Sequence, residues 1–175
     1  TLATVGRIFA GLKPVGTSDP MQYSCQQNFA LLTTDGYWNT DSASDVKDLS
    51  GNAMGNRDAA PVTRPMYEGP TASSATLADA AKYYYDTDLR TTALGNCDGA
   101  LGVDVCKNNV FVSGSDNMTQ QHMTTFTLGL GVDGTLTFSG DYKTVKDLAT
   151  APADARLDYY NLYHGTGSPV VNWPV

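Results

Sequence analysis

The chain has 175 residues, with 11 Lys and Arg against 18 Asp and Glu, a net charge of -7 and a pI near 4.5. That acidic balance disfavours nucleic acid and anionic membrane surfaces, which require a basic stripe, and no apolar run approaches the roughly 18 residues that span a bilayer. With 41% hydrophobic residues the composition supports a packed core, and one domain over residues 1–175 is the default reading.

Leu2, Val5, Ile8, Phe9 and Leu12 recur at helical steps, so residues 2–12 are expected to form an amphipathic helix ended by Gly11 and Pro14. The start, Thr1-Leu2-Ala3-Thr4, lacks Met and the basic-then-apolar layout of an export signal, so a processed or excised piece is expected. After a turn-rich stretch, Asn28 to Thr34 is nearly continuous in apolar residues. That pattern predicts a central strand covered on both faces, as in a parallel sheet. It runs into Asp35-Gly36, placing a carboxylate at the strand's carboxyl end, where open α/β sheets bind ligands.

Residues 39–75 are rich in Asn, Asp, Ser, Gly and Pro and read as a loop-rich insertion. Thr76 and Asp79 have the form of a capping box, and Leu77, Ala80, Ala81 and Tyr84 give an apolar stripe over a helix at 77–90. A second loop-rich insertion covers about 91–120 and contains Cys97 and Cys106, which enclose eight residues. A local disulfide fits that loop and would stabilise by about 2–3 kcal/mol; two reduced thiols are the alternative. A zinc site lacks a second ligand pair, and Cys25 is left as the odd thiol.

Thr124 to Val132 alternates apolar with small or polar residues and reads as a strand. Asp133-Gly134 is expected to turn it into a hairpin with Thr135 to Phe138. Helices are expected at 143–148, and at 153–163 closed by Gly165.

Chemistry-bearing motifs are few. Gly129, Gly131 and Gly134 match G-x-G-x-x-G, but the third glycine opens no helix, so a hairpin is favoured over a nucleotide site. No G-x-S-x-G or H-E-x-x-H occurs, and His122 and His164 read as hydrogen-bonded surface or element-end residues. The carboxylate pairs Asp86/Asp88 and Asp41/Asp45 read as solvated loop charges or, alternatively, as aids to hydrolysis or calcium binding. Tyr84 is assigned to helix packing; its neighbours Tyr83 and Tyr85, with Tyr159, Tyr160 and Tyr163, are open between packing and a recognition face.

Several segments together resemble the N-terminal region of the type IV pilus tip-associated adhesin and biogenesis family, the PilY-like proteins. The residues that carry the resemblance run from Tyr23 through Cys25, Asn28 and the apolar strand to Thr34-Asp35-Gly36 and Asn39. Further matches are Leu77 to Arg90, Gln121 to Leu136, and Asn172-Trp173-Pro174. The resemblance implies an α/β, von Willebrand factor A-like fold: a mostly parallel sheet flanked by helices, incomplete in this chain. It implies an extracellular, pilus-associated, non-enzymatic protein that works by adhesion or pilus assembly.

In such domains a metal-ion-dependent adhesion site sits at the sheet's upper edge, and Asp35 is the ligand that carries over, with Thr34 and Gly36 beside it. Carboxylate and hydroxyl oxygens suit Mg2+ or Ca2+. The D-x-S-x-S motif of that site does not occur; the nearest stretch, Asp41 to Asp45, has Ala43 and Asp45 where the serines would stand. The site is therefore expected to be incomplete in this chain. The implied partners are pilus subunits or minor pilins, a host or surface receptor, and other copies or the remainder of a parent protein. The alternative is a structural subunit of an extracellular filament or complex, completed by neighbouring chains.

Overall fold

The computed structural model of the chain describes residues 2–12, 16, 18–34, 45–58, 74–114, 116–130 and 136–166. Helix α1 (Leu2–Phe9) buries Leu2, Ala3 and Gly6 along one side. It ends at Gly11, which turns the chain at a φ of +71° and has Arg90 Nη1 only 2.8 Å from where a Cβ would stand. Glycine is needed there both for the left-handed turn and for the close approach.

Strand β1 (Asn28–Thr34) occupies the expected span, and its partner is β2 (Met123–Gly129). The two run parallel in register, from Asn28 beside Met123 to Thr34 beside Gly129. Parallel neighbours need a crossover connection, and the chain between them carries helix α2 (Leu77–Asp86). The capping box opens α2 as the sequence indicates: Asp79 N–H donates to Thr76 Oγ1 at 3.1 Å, and Thr76 N–H donates to Asp79 Oδ2 at 2.9 Å.

Helices α1 and α2 pack together and cover the same sheet face. The core between them contains Leu2, Ala3, Ala10, Ala30, Ala80, Tyr84, Leu89 and Met123. Tyr84 is fully buried and donates its hydroxyl to Lys47 O at 2.7 Å, as its place on the apolar stripe implies. Leu49 and Met54 also enter this core, so residues 45–58 of the loop-rich stretch are more than a surface excursion. The Lys47 to Ala53 bridge folds them back, and Asp79 accepts the Arg57 and Asp58 amides.

The expectation of a strand covered on both faces is not met. Asn28 and Ala30 are buried, but Phe29 and Leu31 on the other face are 52% and 65% exposed. Among the described residues β2 is the single sheet partner of β1 and both helices lie on one side, so a continuous apolar run gives one face in the core and one outside.

The hairpin after β2 is not formed by 136–138, which are not in a strand; Asp133, Gly134 and Thr135 lie outside the described residues. The 143–148 segment makes only a 3-10 turn at Val145–Asp147, too short to bear the nucleation cost of an α-helix. Helix α3 (Leu157–His164) starts later than expected because Asp154 holds the preceding residues in a turn, accepting Arg156 N–H at 3.0 Å. Gly165, at a φ of +63°, closes it as anticipated.

Gly6 gives a direct test of the α1–α2 packing, because a Cβ there would overlap the Tyr84 ring. Replacing glycine by alanine in an open helix stabilises by roughly 0.5–1 kcal/mol. Here Gly6→Ala is expected to destabilise by about 1–3 kcal/mol, the cost of overpacking, as read by denaturant unfolding. A gain in stability would show that the helices are not in this contact.

Candidate functional site

The carboxyl end of the sheet is where the sequence places its ligand-binding loop. Both strands finish level, and Leu130 N–H donates to Thr34 O at 2.8 Å, extending the pairing one step past β2. Thr33, Thr34 and Thr127 are exposed there. Asp35 and Gly36, the next residues in sequence, lie outside the described residues, as do Asp41 and the Trp173-Pro174 element. Of the predicted binding residues, Thr34 is thus the one placed, at the end of a strand and open to solvent.

The amino end of the sheet is built differently, from a chain of amides that the sequence reading did not anticipate. Asn28 is buried, and its Nδ2 donates to Gln121 Oε1 at 2.9 Å and to His122 O at 3.0 Å. Gln26 Nε2 donates to Asn28 Oδ1 at 3.0 Å and Pro20 O at 3.2 Å, while Gln121 Nε2 donates to Ser24 O. Leu89 N–H donates to Gln121 O at 2.8 Å, which adds the segment after α2. Asn28 and Gln121 are buried, so these links satisfy groups that burial would otherwise leave costly and fix this end of the sheet.

His122 belongs to the same end: it stands directly before β2 and is hydrogen-bonded, the element-end form of its expected role, and it is buried rather than at the surface. It is 3% exposed, with Nδ1 2.8 Å from Gln120 O and Nε2 3.1 Å from Asp116 Oδ2. The Tyr85 hydroxyl donates to Asp116 Oδ1 at 3.0 Å, and its ring meets the His122 ring edge-on. Burial, followed by the hydrogen bond to Asp116, pushes the Tyr85 phenol up to about 12. For Asp116, burial works upward, but hydrogen bonds from His122, the Met118 amide and Tyr85 outweigh it and hold the carboxyl below its ordinary 3.8. His164, by contrast, is exposed at the last turn of α3, an element end as expected.

The disulfide between Cys97 and Cys106 is present, with Cα atoms 5.0 Å apart, and Cys25 is a free, exposed thiol. Cys97, Asp104 and Cys106 are the one cluster of potential metal ligands among the described residues. Both sulfurs are consumed by the disulfide, and Asp104 Oδ1 accepts Cys106 N–H at 2.9 Å, so the cluster is a stapled turn rather than a metal centre. Asp86 pairs with Lys82, and Asp88 accepts Arg90 N–H at 3.1 Å. Among the described residues, no helix is long and apolar enough to cross a membrane.

Comparison with known proteins gives a consistent relationship. The type IV pilus biogenesis factor PilY1 of Pseudomonas aeruginosa strain PAK is 34% identical, over 74% of this chain and 12% of that protein. The PilY1 proteins of strains PAO1 and UCBPP-PA14 are 33% and 30% identical, over 74% and 70% of this chain. The chain is related to the PilY-like pilus biogenesis factors. It spans about an eighth of the length of these PilY1 relatives. No family model matches the chain, and no solved structure matches it.

The PilY-like motif can now be read physically. Ser24, Gln26 and Asn28 from its first segment and Gln121 and His122 from its third are partners in one buried network, although more than ninety positions separate Asn28 from Gln121. A signal was available in the sequence: an Asn and a Gln-His pair each stand directly before an apolar strand, where polar side chains must find partners if buried.

Two measurements check this part of the molecule. Asp116 has a lowered folded-state pKa, so its stabilisation is present above the unfolded carboxylate value and is lost as pH falls through the lowered one. Asp116→Asn is therefore expected to reduce thermal stability most at neutral pH, with the gap to the parent closing in acid; a gap that widens in acid would contradict the assignment. Peptide mapping without reductant is expected to give one linked Cys97–Cys106 peptide and a single alkylated thiol at Cys25, and alkylation at Cys97 would refute the staple.

Proposed function

We propose that this chain is part of a non-enzymatic, extracellular pilus-associated protein, acting in pilus assembly or attachment through protein–protein contacts at the carboxyl end of the sheet. The observation that carries the reading is the 30–34% identity to PilY1 biogenesis factors, joined to a parallel strand pair whose first strand ends at Thr34, the edge where α/β sheets bind ligands, with Asp35-Gly36 next in sequence.

The finer reading is a von Willebrand factor A-like module with a cation-dependent contact site. A parallel β–α–β unit with helices against the sheet is consistent with part of such a fold. The donor chemistry fits a hard divalent ion: Thr33, Thr34 and Thr127 bring hydroxyl oxygens to the strand ends, and Asp35 follows β1 directly in sequence. Mg2+ or Ca2+ held by Asp35, with Thr34 nearby, would leave coordination positions for an acidic group on a partner. The partners that suit this role are pilus subunits or minor pilins on one side and a host or other surface receptor on the other.

The test is ion titration by calorimetry, alongside surface attachment, for the full-length protein and its Asp35→Ala variant. Loss of a hard oxygen ligand is expected to weaken Mg2+ or Ca2+ affinity at least about tenfold, costing ~1.4 kcal/mol or more, and to reduce attachment in parallel. Unchanged ion affinity and attachment would remove Asp35 from the site. Turnover of an ester, glycoside or peptide substrate, abolished by the same substitution, would overturn the non-enzymatic reading.

A further inference from the structure

Residues 97–106 form a small hairpin closed at its base by the disulfide. Val105 N–H donates to Cys97 O at 2.8 Å and Gly99 N–H to Val103 O at 3.0 Å, while Gly102 N–H donates to Gly99 O at 2.9 Å and closes the turn. Gly102, at a φ of +70°, supplies the left-handed residue on which such a turn reverses. From beneath, Val105 is fully buried and Ala100 N–H donates to Met21 O at 2.7 Å, so the hairpin is seated on the segment that leads into β1.

Two features of this hairpin are not explained by folding. Its tip is apolar yet faces outward, with Leu101 57% and Val103 41% exposed. Asp98 and Asp104, both exposed, stand directly opposite each other between the two cross-strand hydrogen bonds. Side chains of such a pair approach most closely, and like charges there repel. Asp104 has a structural task, accepting Cys106 N–H at 2.9 Å. Among the described residues, however, neither carboxylate is in a salt bridge.

We propose that the stapled hairpin is a docking knob, with Leu101 entering an apolar pocket of a protein partner whose rim carries Lys or Arg for Asp98 and Asp104. Charge chooses that partner. A basic rim relieves the repulsion that the free hairpin bears, and a second copy of this chain does not supply one, because chains with a net charge of -7 repel each other. The staple and the buried Val105 fix the loop before it binds, so little conformational entropy is lost on docking. The exposed leucine gives the apolar centre of the contact, and the two carboxylates give its charged rim, which acts mainly on the rate of encounter. The choice of a pilus component as the partner rests on the function proposed above. The surface is separate from the cation site: the hairpin leans on the segment entering β1 at its amino end, whereas Asp35 follows Thr34 at the carboxyl end.

Surface plasmon resonance of the full-length protein over immobilised, purified type IV pili tests it. Leu101→Ser is expected to weaken binding at least about tenfold, mainly through faster dissociation. Asp98→Asn is expected to slow association about threefold or more and to flatten its salt dependence, and acetylating the pilus lysines is expected to do the same to the parent. The same Asp98→Asn variant is expected to melt no lower than the parent, because its repulsion with Asp104 is gone; a carboxylate that served only the fold would give the opposite sign. Phe138→Ser, 73% exposed on another part of the chain, is the control and is expected to bind as the parent does. Parent binding with all variants alike overturns the inference and leaves the pilus role standing, whereas no binding by the parent overturns both. A lowered melting temperature for Asp98→Asn returns that carboxylate to the fold and overturns its place on the rim. Self-association of the parent on concentration, lost in Leu101→Ser, overturns the inference in favour of a second copy. The Leu101 and Asp98 effects are expected to persist in an Asp35→Ala background, so failure of the cation site leaves them in place.

Discussion

The described residues depend most on one buried cation. Arg90 is 1% exposed, yet its guanidinium reaches three segments distant in sequence. Nε donates to Phe9 O at 2.8 Å, Nη1 to Asn96 O at 3.0 Å, and Nη2 to Asp19 Oδ1 at 2.6 Å. A planar, permanently charged fork can serve these acceptors at once, where lysine offers a single point charge. Asn96 repeats the bracing, donating to Ala10 O at 2.8 Å and Leu89 O at 2.7 Å. The end of α1, the segment before β1 and the chain after α2 are thereby fixed to one another. Removing the arginine from such a site leaves the half-buried Asp19 carboxylate without its counter-charge and two carbonyls without this donor, at the cost of leaving polar groups unpaired, about 1–3 kcal/mol each where they are buried.

This bracing explains why so little regular structure supports so much loop. The described residues of segments 18–27 and 87–122 form no strand or α-helix, but they are pinned at polar points: Asp19 also accepts Met21 N–H at 2.9 Å, and Ala100 N–H donates to Met21 O at 2.7 Å. Met21 and Val105 are fully buried between those points. Gly99 allows the close fit, since a Cβ there would stand 2.7 Å from the Val105 side chain and 3.0 Å from Met21 O. The Cys97–Cys106 staple then holds a turn that already closes on itself through Val105 N–H and Cys97 O.

The sequence made local order legible and long-range order only partly so. Helix α1, strand β1, the Thr76–Asp79 cap and the Gly165 stop follow from spacing and capping chemistry, which act over a few residues. The double-sided burial of β1 was misread because an apolar run reports hydrophobicity and says nothing about whether a second layer is present. His122 was legible as a hydrogen-bonded residue at an element's end, but not its burial or its partners: isolated in sequence, it meets Asp116 and Tyr85 through folding. At the candidate site, the strand leading to Asp35 and the exposed Thr34 were legible, while Asp35 itself lies outside the described residues.

The two ends of the sheet carry different kinds of information about kinship and function. At the amino end, residues of the two segments that carry the PilY-like resemblance satisfy one another's hydrogen bonds across β1 and β2. Their presence is therefore explained by folding, since losing one amide leaves buried partners unpaired. At the carboxyl end the described part of the same segment finishes in exposed Thr33 and Thr34. Burial does not dictate threonine at these two positions, because exposed strand ends tolerate many polar residues. The proposed contact residues thus follow, in sequence, a strand pair anchored at its other end by the amide network, the kind of rigid support on which a binding site is best built.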